Sequence, residues 1–337
     1  MNHVKIPAGY RTNMSRYETQ KYIGLLKRLF EDTLSGALNL RRVSSPLLVD
    51  AGNGLNDDLN GVERPVSFDV PGTGREAQIV QSLAKWKRYA LMKYGFPEGQ
   101  GLYTDMNAIR RDEALDNLHS VYVDQWDWEK VIRQEDRNLE YLRETVRDIV
   151  GAVCDVNHTL RQIVPVLENL PELEREVAFV TAQELEDMYP DITPAEREAA
   201  FVREHHTAFI IGIGGYMKSG KKHDGRAPDY DDLDLNGDLF FWNSVLDIPF
   251  EVSSMGIRVS PESLMRQLEI AGCTERKDLM FHKMLLEGKL PYTIGGGIGQ
   301  SRLSMLLLGK AHIGEVQASV WDDETVAACE AAGVHLL

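Results

Sequence analysis

The chain has 337 residues, 43% of them hydrophobic and 26% charged, enough for a soluble enzyme-sized protein with its own core. Its formal net charge of -15 argues against a broad face for a nucleic-acid backbone but leaves room for a local basic pocket. No apolar stretch approaches the roughly 18 residues of a membrane span, the N-terminus lacks the apolar core of a secretion signal, and the three cysteines, Cys154, Cys273 and Cys329, are too far apart for a disulfide framework, so a reducing cytoplasm is the expected location.

From about Tyr17 to Leu38, Ile23, Leu26, Phe30 and Leu34 fall three and four residues apart, which predicts an amphipathic helix. Pro46 then opens the apolar run PLLV, read as a strand start. Leu139, Leu142, Val146, Ile149, Val153, Val156 and Leu160 give the strongest periodicity in the chain and predict a second long helix, packed on a sheet. Val177–Val180 reads as a buried strand, and Thr181 with Glu184 forms a capping box for a short helix after it. TAFIIGIGG, DLFFW and FEVSSMGIRV are further strands. Ser260 and Pro261 start another helix. GGGIGQSRLSMLLLG reads as a glycine-rich turn entering a helix, VQASVW as a last strand, and the end of the chain as a helical tail. Strands and helices do not alternate regularly, which favours a mixed α+β domain on an antiparallel sheet over a doubly wound fold. A single catalytic domain is expected, with residues 1–16 as an extension and 322–337 as a tail.

Three motif matches mislead. Gly215–Lys222 fits the phosphate-loop pattern except at its end, where Lys222 replaces the hydroxyl that holds magnesium and no helix follows; a mobile surface loop is expected instead. Asp232–Gly237 mimics half of a calcium loop, but Asn243 stands where a bidentate glutamate is needed. Gly295, Gly296, Gly297 and Gly299 miss the dinucleotide fingerprint, since Gln300 takes its third glycine.

The chemistry resides in polar clusters: NDDLNG (Asn56–Gly61), SLAKWKR (Ser82–Arg88), IRRDE (Ile109–Glu113), HSVYVDQWDWE (His119–Glu129), RAPDYDD (Arg226–Asp232), LNGDLFFWN (Leu235–Asn243), FEVSSMGIR (Phe250–Arg258) and GGGIGQSR (Gly295–Arg302). Taken singly, KWKR reads as a solvated helix face, HSVYVDQWDWE as an edge strand and NDDLNG as a turn. Together, from about Tyr17 to Trp321, they resemble the ammonia-dependent asparagine synthetases. That family is related to the class II aminoacyl-tRNA synthetases, whose first, second and third motifs are matched here by Pro46 after the first helix, by Arg110 and by Arg302.

The resemblance implies a mostly antiparallel sheet flanked by helices, a homodimer, and a ligase joining aspartate and ammonia at the expense of ATP. The products would be asparagine, AMP and diphosphate, formed through β-aspartyl-AMP, with no nucleic acid or membrane partner. It places Arg110 at the α-phosphate and the reacting carboxylate, and Arg302 on adenine. Asp238 and Glu251 would hold Mg2+, a hard cation suited to oxygen ligands. Ser120, Val123, Ser254, Gly297 and Gly299 complete the ATP positions. Ser82, Lys87, Gln125, Asp127, Arg226, Asp231, Ser253 and Arg258 are carried over for aspartate, with Gln125 also counted as catalytic. Asp127 suits the substrate ammonium and Arg258 its α-carboxylate. Asp57 is the candidate for attracting ammonium and taking its proton. Glutamine is not expected as the nitrogen donor, because position 2 is Asn2 and no cysteine precedes Cys154. The rivals are a truncated aminoacyl-tRNA synthetase and a non-catalytic relative of one.

Overall fold

The computed structural model describes residues 4–57, 59 and 63–337; Asp58, Asn60 and Gly61 of the NDDLNG cluster, and Val62 after it, lie outside the described residues. In chain order the elements are α1 (Arg16–Leu38), β1 (Leu40–Arg42), β2 (Leu48–Asp50), β3 (Ser67–Val70), β4 (Arg75–Ile79), α2 (Ala84–Tyr94), β5 (Gly101–Ile109), β6 (Tyr122–Val131), α3 (Leu139–Ile163), β7 (Ala178–Thr181), α4 (Ala182–Met188), α5 (Pro194–His205), β8 (Thr207–Ile211), β9 (Asp231–Asn243), β10 (Ile248–Arg258), α6 (Pro261–Ala271), α7 (Met280–Leu286), β11 (Thr293–Gly299), α8 (Gln300–Leu307) and α9 (Asp323–Ala331). Eight strands form one sheet in the order β1-β5-β6-β11-β10-β9-β8-β7, and β2, β4 and β3 form a small second sheet. Only the outer pairs β1–β5 and β7–β8 are parallel; the other pairs of the large sheet are antiparallel. The expected mixed α+β architecture is therefore present. No helix among the described residues is long and apolar enough to cross a membrane.

The two long helices form where their apolar periodicity requires. Ser15 caps α1 with a capping box to Glu18, and Ile23, Leu26, Phe30, Leu34 and Leu38 turn inward. Asn138 caps α3, whose buried stripe of Leu142, Val146, Ile149, Val153, Val156 and Leu160 joins the same core as the inward face of the sheet. The Phe30 ring lies 4.7 Å from Trp126 of β6. Phe30→Ala should therefore cost about 3–5 kcal/mol of folding free energy, because little around a fully buried ring can close the space it leaves; a urea titration checks it.

Several expectations need correction. HSVYVDQWDWE is no edge strand, since β6 lies mid-sheet between β5 and β11. The glycine run is no turn either. It forms β11, hydrogen-bonded to β6 on one side and β10 on the other. The PLLV run does start a strand as expected, β2, which lies in the small sheet, while β1 is the strand that follows α1 into the main sheet. VQASVW adopts no strand; Ser319 instead hydrogen-bonds Ser120 at 2.6 Å. Residues 215–222 lie at the surface as expected, with the Lys218 amide donating to Gln183, Lys218 Nζ paired to Asp187 and Ser219 Oγ donating to Glu186. The helical tail, α9, is docked. Cys329 and Val334 pack on Val4, and the Leu337 amide donates to Gly314.

Candidate active site

A cavity of about 390 Å³ opens over the face of the sheet opposite the α1–α3 core. It is built chiefly by β6, β10 and β11, closed at one side by α2 and the loop holding Asp57, and at another by residues 224–231. Strand period sets the floor. Gln125, Asp127 and Glu129 alternate along β6 with Trp126 and Trp128, so the polar set faces the site while both tryptophans enter the core. On β10 a break in the pairing register between Glu251 and Ser253 changes the parity. Phe250 and Met255 consequently both point into the core, while Glu251 and Ser254 both face the cavity.

The glycines of β11 make room for this floor. A Cβ at Gly297 would meet Gln125 Oε1 at 2.4 Å and Asp127 Oδ1 at 2.8 Å. One at Gly295 would meet Glu129 Oε2 at 2.4 Å and an Arg258 nitrogen at 2.7 Å. Side chains of the flanking strands therefore lie across the bare backbone of β11.

All the site positions expected from the sequence line this one cavity: Asp57, Ser82, Lys87, Arg110, Ser120, Val123, Gln125, Asp127, Arg226, Asp231, Asp238, Glu251, Ser253, Ser254, Arg258, Gly297, Gly299 and Arg302. SLAKWKR is not a solvated face. Lys85, Lys87 and Arg88 of α2 are all buried, and Lys87 Nζ donates to Asp127 Oδ1 and to the Gly296 carbonyl, each at 2.8 Å. Burial draws the Lys87 ammonium below its ordinary range, with Asp127 opposing. Asp127 Oδ2, the Ser253 hydroxyl and Arg110 Nε are buried without a hydrogen-bond partner among the described residues, which leaves their polar capacity for a ligand.

Arg258 is gripped by two carboxylates. Its Nε and Nη2 donate to Glu129 Oε2 at 3.1 and 2.9 Å, and its Nη1 donates to Asp231. Burial disfavours its charge, but Glu129 and Asp231 outweigh that and raise its pKa. Three of five N–H donors are used in this way, so two remain for a bound anion. Glu129 itself, fully buried, also accepts from Thr293 at 2.7 Å. Sequence reasoning left Glu129 without a role, although it continues the alternation of Gln125 and Asp127.

At the other end, Arg302 Nη1 donates to the Glu251 carbonyl at 2.9 Å and lies 3.6 Å from its carboxylate. Arg302 Nη2 donates to His119 Nε2 at 2.8 Å, which places the ring proton on Nδ1, donated in turn to Asp116 at 2.9 Å. His119 and Asp116 were thus missed as the support of Arg302. Asp124, another residue given no role, accepts from the Ser301 amide and hydroxyl and from Gln317, and joins the start of α8 to the floor. The Asp238 carboxylate takes Arg226 Nη2 at 2.5 Å. Burial, and then the negative charge of Glu251, push the Asp238 carboxyl upward against the pull of Arg226. Asp238 and Glu251 line the cavity close enough to influence one another, and two such oxygen ligands suit a hard divalent cation.

The arrangement offers the guanidinium groups of Arg110, Arg226, Arg258 and Arg302, the carboxylates of Asp238 and Glu251, and the buried Lys87–Asp127 pair with one oxygen left over, all within one cavity. Such a site can bind a polyphosphate and a small zwitterion side by side.

The chain matches the family model described as aspartate-ammonia ligase over residues 17–333. A Clostridium perfringens protein named aspartate–ammonia ligase is 59% identical over all of both chains. One of the same name from Clostridium tetani is 58% identical over 98% of this chain and 97% of its own. Among solved structures, asparaginyl-tRNA synthetase of Entamoeba histolytica in complex with asparaginyl-adenylate superposes with a TM-score of 0.65 at 14% identity, over 90% of this chain and 66% of that one. At that identity the likeness shows a shared fold, that of the class II aminoacyl-tRNA synthetases.

Proposed function

The chain belongs to the aspartate–ammonia ligase family, and from that premise we propose that its cavity joins aspartate and ammonia to give asparagine while ATP becomes AMP and diphosphate. The observation that carries the reading is the gathering of Arg110, Arg302, Asp238 and Glu251 around the same space as Lys87, Asp127 and Arg258.

The free oxygen of Asp127 receives the substrate ammonium, and the remaining donors of Arg258 take its α-carboxylate. Gln125 lies beside Asp127 and orients the side chain. That side chain then points toward Arg110. A carboxylate attacking a phosphate meets charge repulsion, and Arg110 offsets it in a geometry suited to both anions. The β-carboxylate oxygen bonds to the α-phosphorus, the bond to the β-phosphate bridge breaks, and diphosphate leaves with the electron pair. Arg302 stacks on adenine and holds the phosphate tail, steadied by His119 and Glu251. Asp238 and Glu251 would hold Mg2+, which would supply charge neutralisation at the phosphates. In the second half Asp57 takes a proton from ammonium. The ammonia so formed bonds to the β-carbonyl carbon, the bond from that carbon to the AMP oxygen breaks, AMP departs with the electron pair, and the nitrogen's surplus proton passes to solvent.

We assign a homodimer on the likeness of Pro46, after α1, to the first motif of the class II fold, and no nucleic-acid partner on the net charge of -15. The test is a turnover assay with labelled aspartate, ammonium or glutamine as donor, and nucleotide analysis. Label in free asparagine with ammonium, and one AMP per asparagine, is the expected result. Formation of ADP with inorganic phosphate, or label passing to tRNA, would falsify the proposal.

A further inference from the structure

Beside the cavity lies a buried ionic cluster that none of the steps above uses. Asp229 Oδ2 accepts from Lys85 Nζ at 3.1 Å, from Arg276 Nη1 at 3.2 Å and from His282 Nε2 at 2.9 Å. Lys85, Asp229 and His282 are exposed by 3% or less. The partners come from α2, from the turn before α7 and from α7 itself, so one carboxylate ties together segments distant in the chain. Burial alone would raise the pKa of Asp229, but Lys85, His282 and Arg276 hold it below the usual carboxylate range.

What the cluster touches makes it more than a weld. Asp229 immediately precedes Tyr230 and Asp231, which line the cavity. Gln267 Nε2 donates to the carbonyls of Pro228 and Asp231 at 2.8 and 2.9 Å, so the backbone on both sides of Asp229 is also fixed. Lys85 stands two positions before Lys87 on α2. In the other direction Leu279, just before α7, and His282 within it lie against the loop that carries Asp57. A Cβ at Gly54 would lie 2.9 Å from Leu279 Cβ and 3.4 Å from His282 Nδ1. Buried ion clusters add little net stability over apolar packing, because desolvation offsets attraction.

We propose that Asp229 is a positioning residue for the amino-acid and ammonium ends of the site. It holds Tyr230 and Asp231 against α2 and, through His282, seats the loop carrying Asp57. The inference rests on the reaction proposed above for the identity of the ligands.

The test compares Asp229→Asn with the charge-compensated double variant Asp229→Asn/Lys85→Met, assayed below their unfolding temperatures. In both, KM for aspartate and for ammonium should rise about 10-fold, with KM for ATP moving less than about 3-fold. The double variant should regain thermal stability without regaining KM. A KM that recovers together with stability makes the cluster structural only and overturns the proposal. Should neither variant fold, Arg276→Ala removes one donor at the partly exposed rim and should raise KM for aspartate about 3-fold; an unchanged value there also overturns it. Absence of aspartate-dependent turnover in the unmodified enzyme would instead overturn the functional reading, which keeps the two failures apart.

Discussion

Asp57→Asn should leave aspartate-dependent exchange of diphosphate into ATP intact while asparagine formation falls by about 10²–10⁴-fold, the usual worth of a positioned proton acceptor. The proposed mechanism uses Asp57 only in the second half of the reaction. Asp57 is 2% exposed, lines the cavity, and stands in a turn set by Asn56, whose side-chain carbonyl accepts the amides of Asp57 and Gln81 at 3.0 and 2.9 Å. It is close enough to Tyr230 to help push that phenol's pKa upward, after burial itself. The variant removes the proton acceptor and leaves Arg110, Arg302, Asp238 and Glu251 unchanged, so adenylate should accumulate and wait for a nucleophile. Rapid-quench sampling of the adenylate beside steady-state asparagine reads both quantities. A variant that makes asparagine at the normal rate removes Asp57 from the mechanism.

Arg110→Gln should behave in the opposite way, lowering the exchange reaction and asparagine formation together by about 10³-fold. Transition-state charge on a transferring phosphate loses its preorganised partner in both assays, and such guanidinium groups contribute on the order of 10³–10⁵ in related chemistry. Arg110 follows the end of β5, with its amide donating to the Val121 carbonyl at 2.9 Å and its Nε buried without a partner among the described residues. Glutamine keeps polarity and approximate length but no charge, so a loss under about 10-fold would place the developing charge elsewhere.

The two long helices were legible because periodicity is local. A residue three or four positions away reports the same face whatever the rest of the chain does, and α1 and α3 begin and end close to where that pattern places them. The same holds for the capping box at Thr181, formed as its spacing indicates. Legibility fell wherever pairing across the sheet decided the outcome. Three adjacent glycines oppose strand formation by local preference, yet β11 is a strand because β6 and β10 supply its hydrogen bonds and their side chains fill the space above it. KWKR carries no local sign of burial; Lys85 and Lys87 are interior only because Asp229 and Asp127 arrive from distant segments. The candidate site was legible through resemblance as a set of positions. The supports of that set, Glu129, Asp124, His119 and Asp229, were not, since each acts through a partner more than 100 residues away.

The late position of β11 in the chain also bears on biogenesis. While the polypeptide emerges from the ribosome, β1, β5 and β6 can assemble as one ribbon and β7 to β10 as another, but the strand that joins them is made only at residues 293–299. Until then β6 and β10 each present an unsatisfied edge, open to pairing with a neighbouring nascent chain. Synthesis that stalls before residue 293 would leave two half-sheets with no seam between them, a natural client for chaperones.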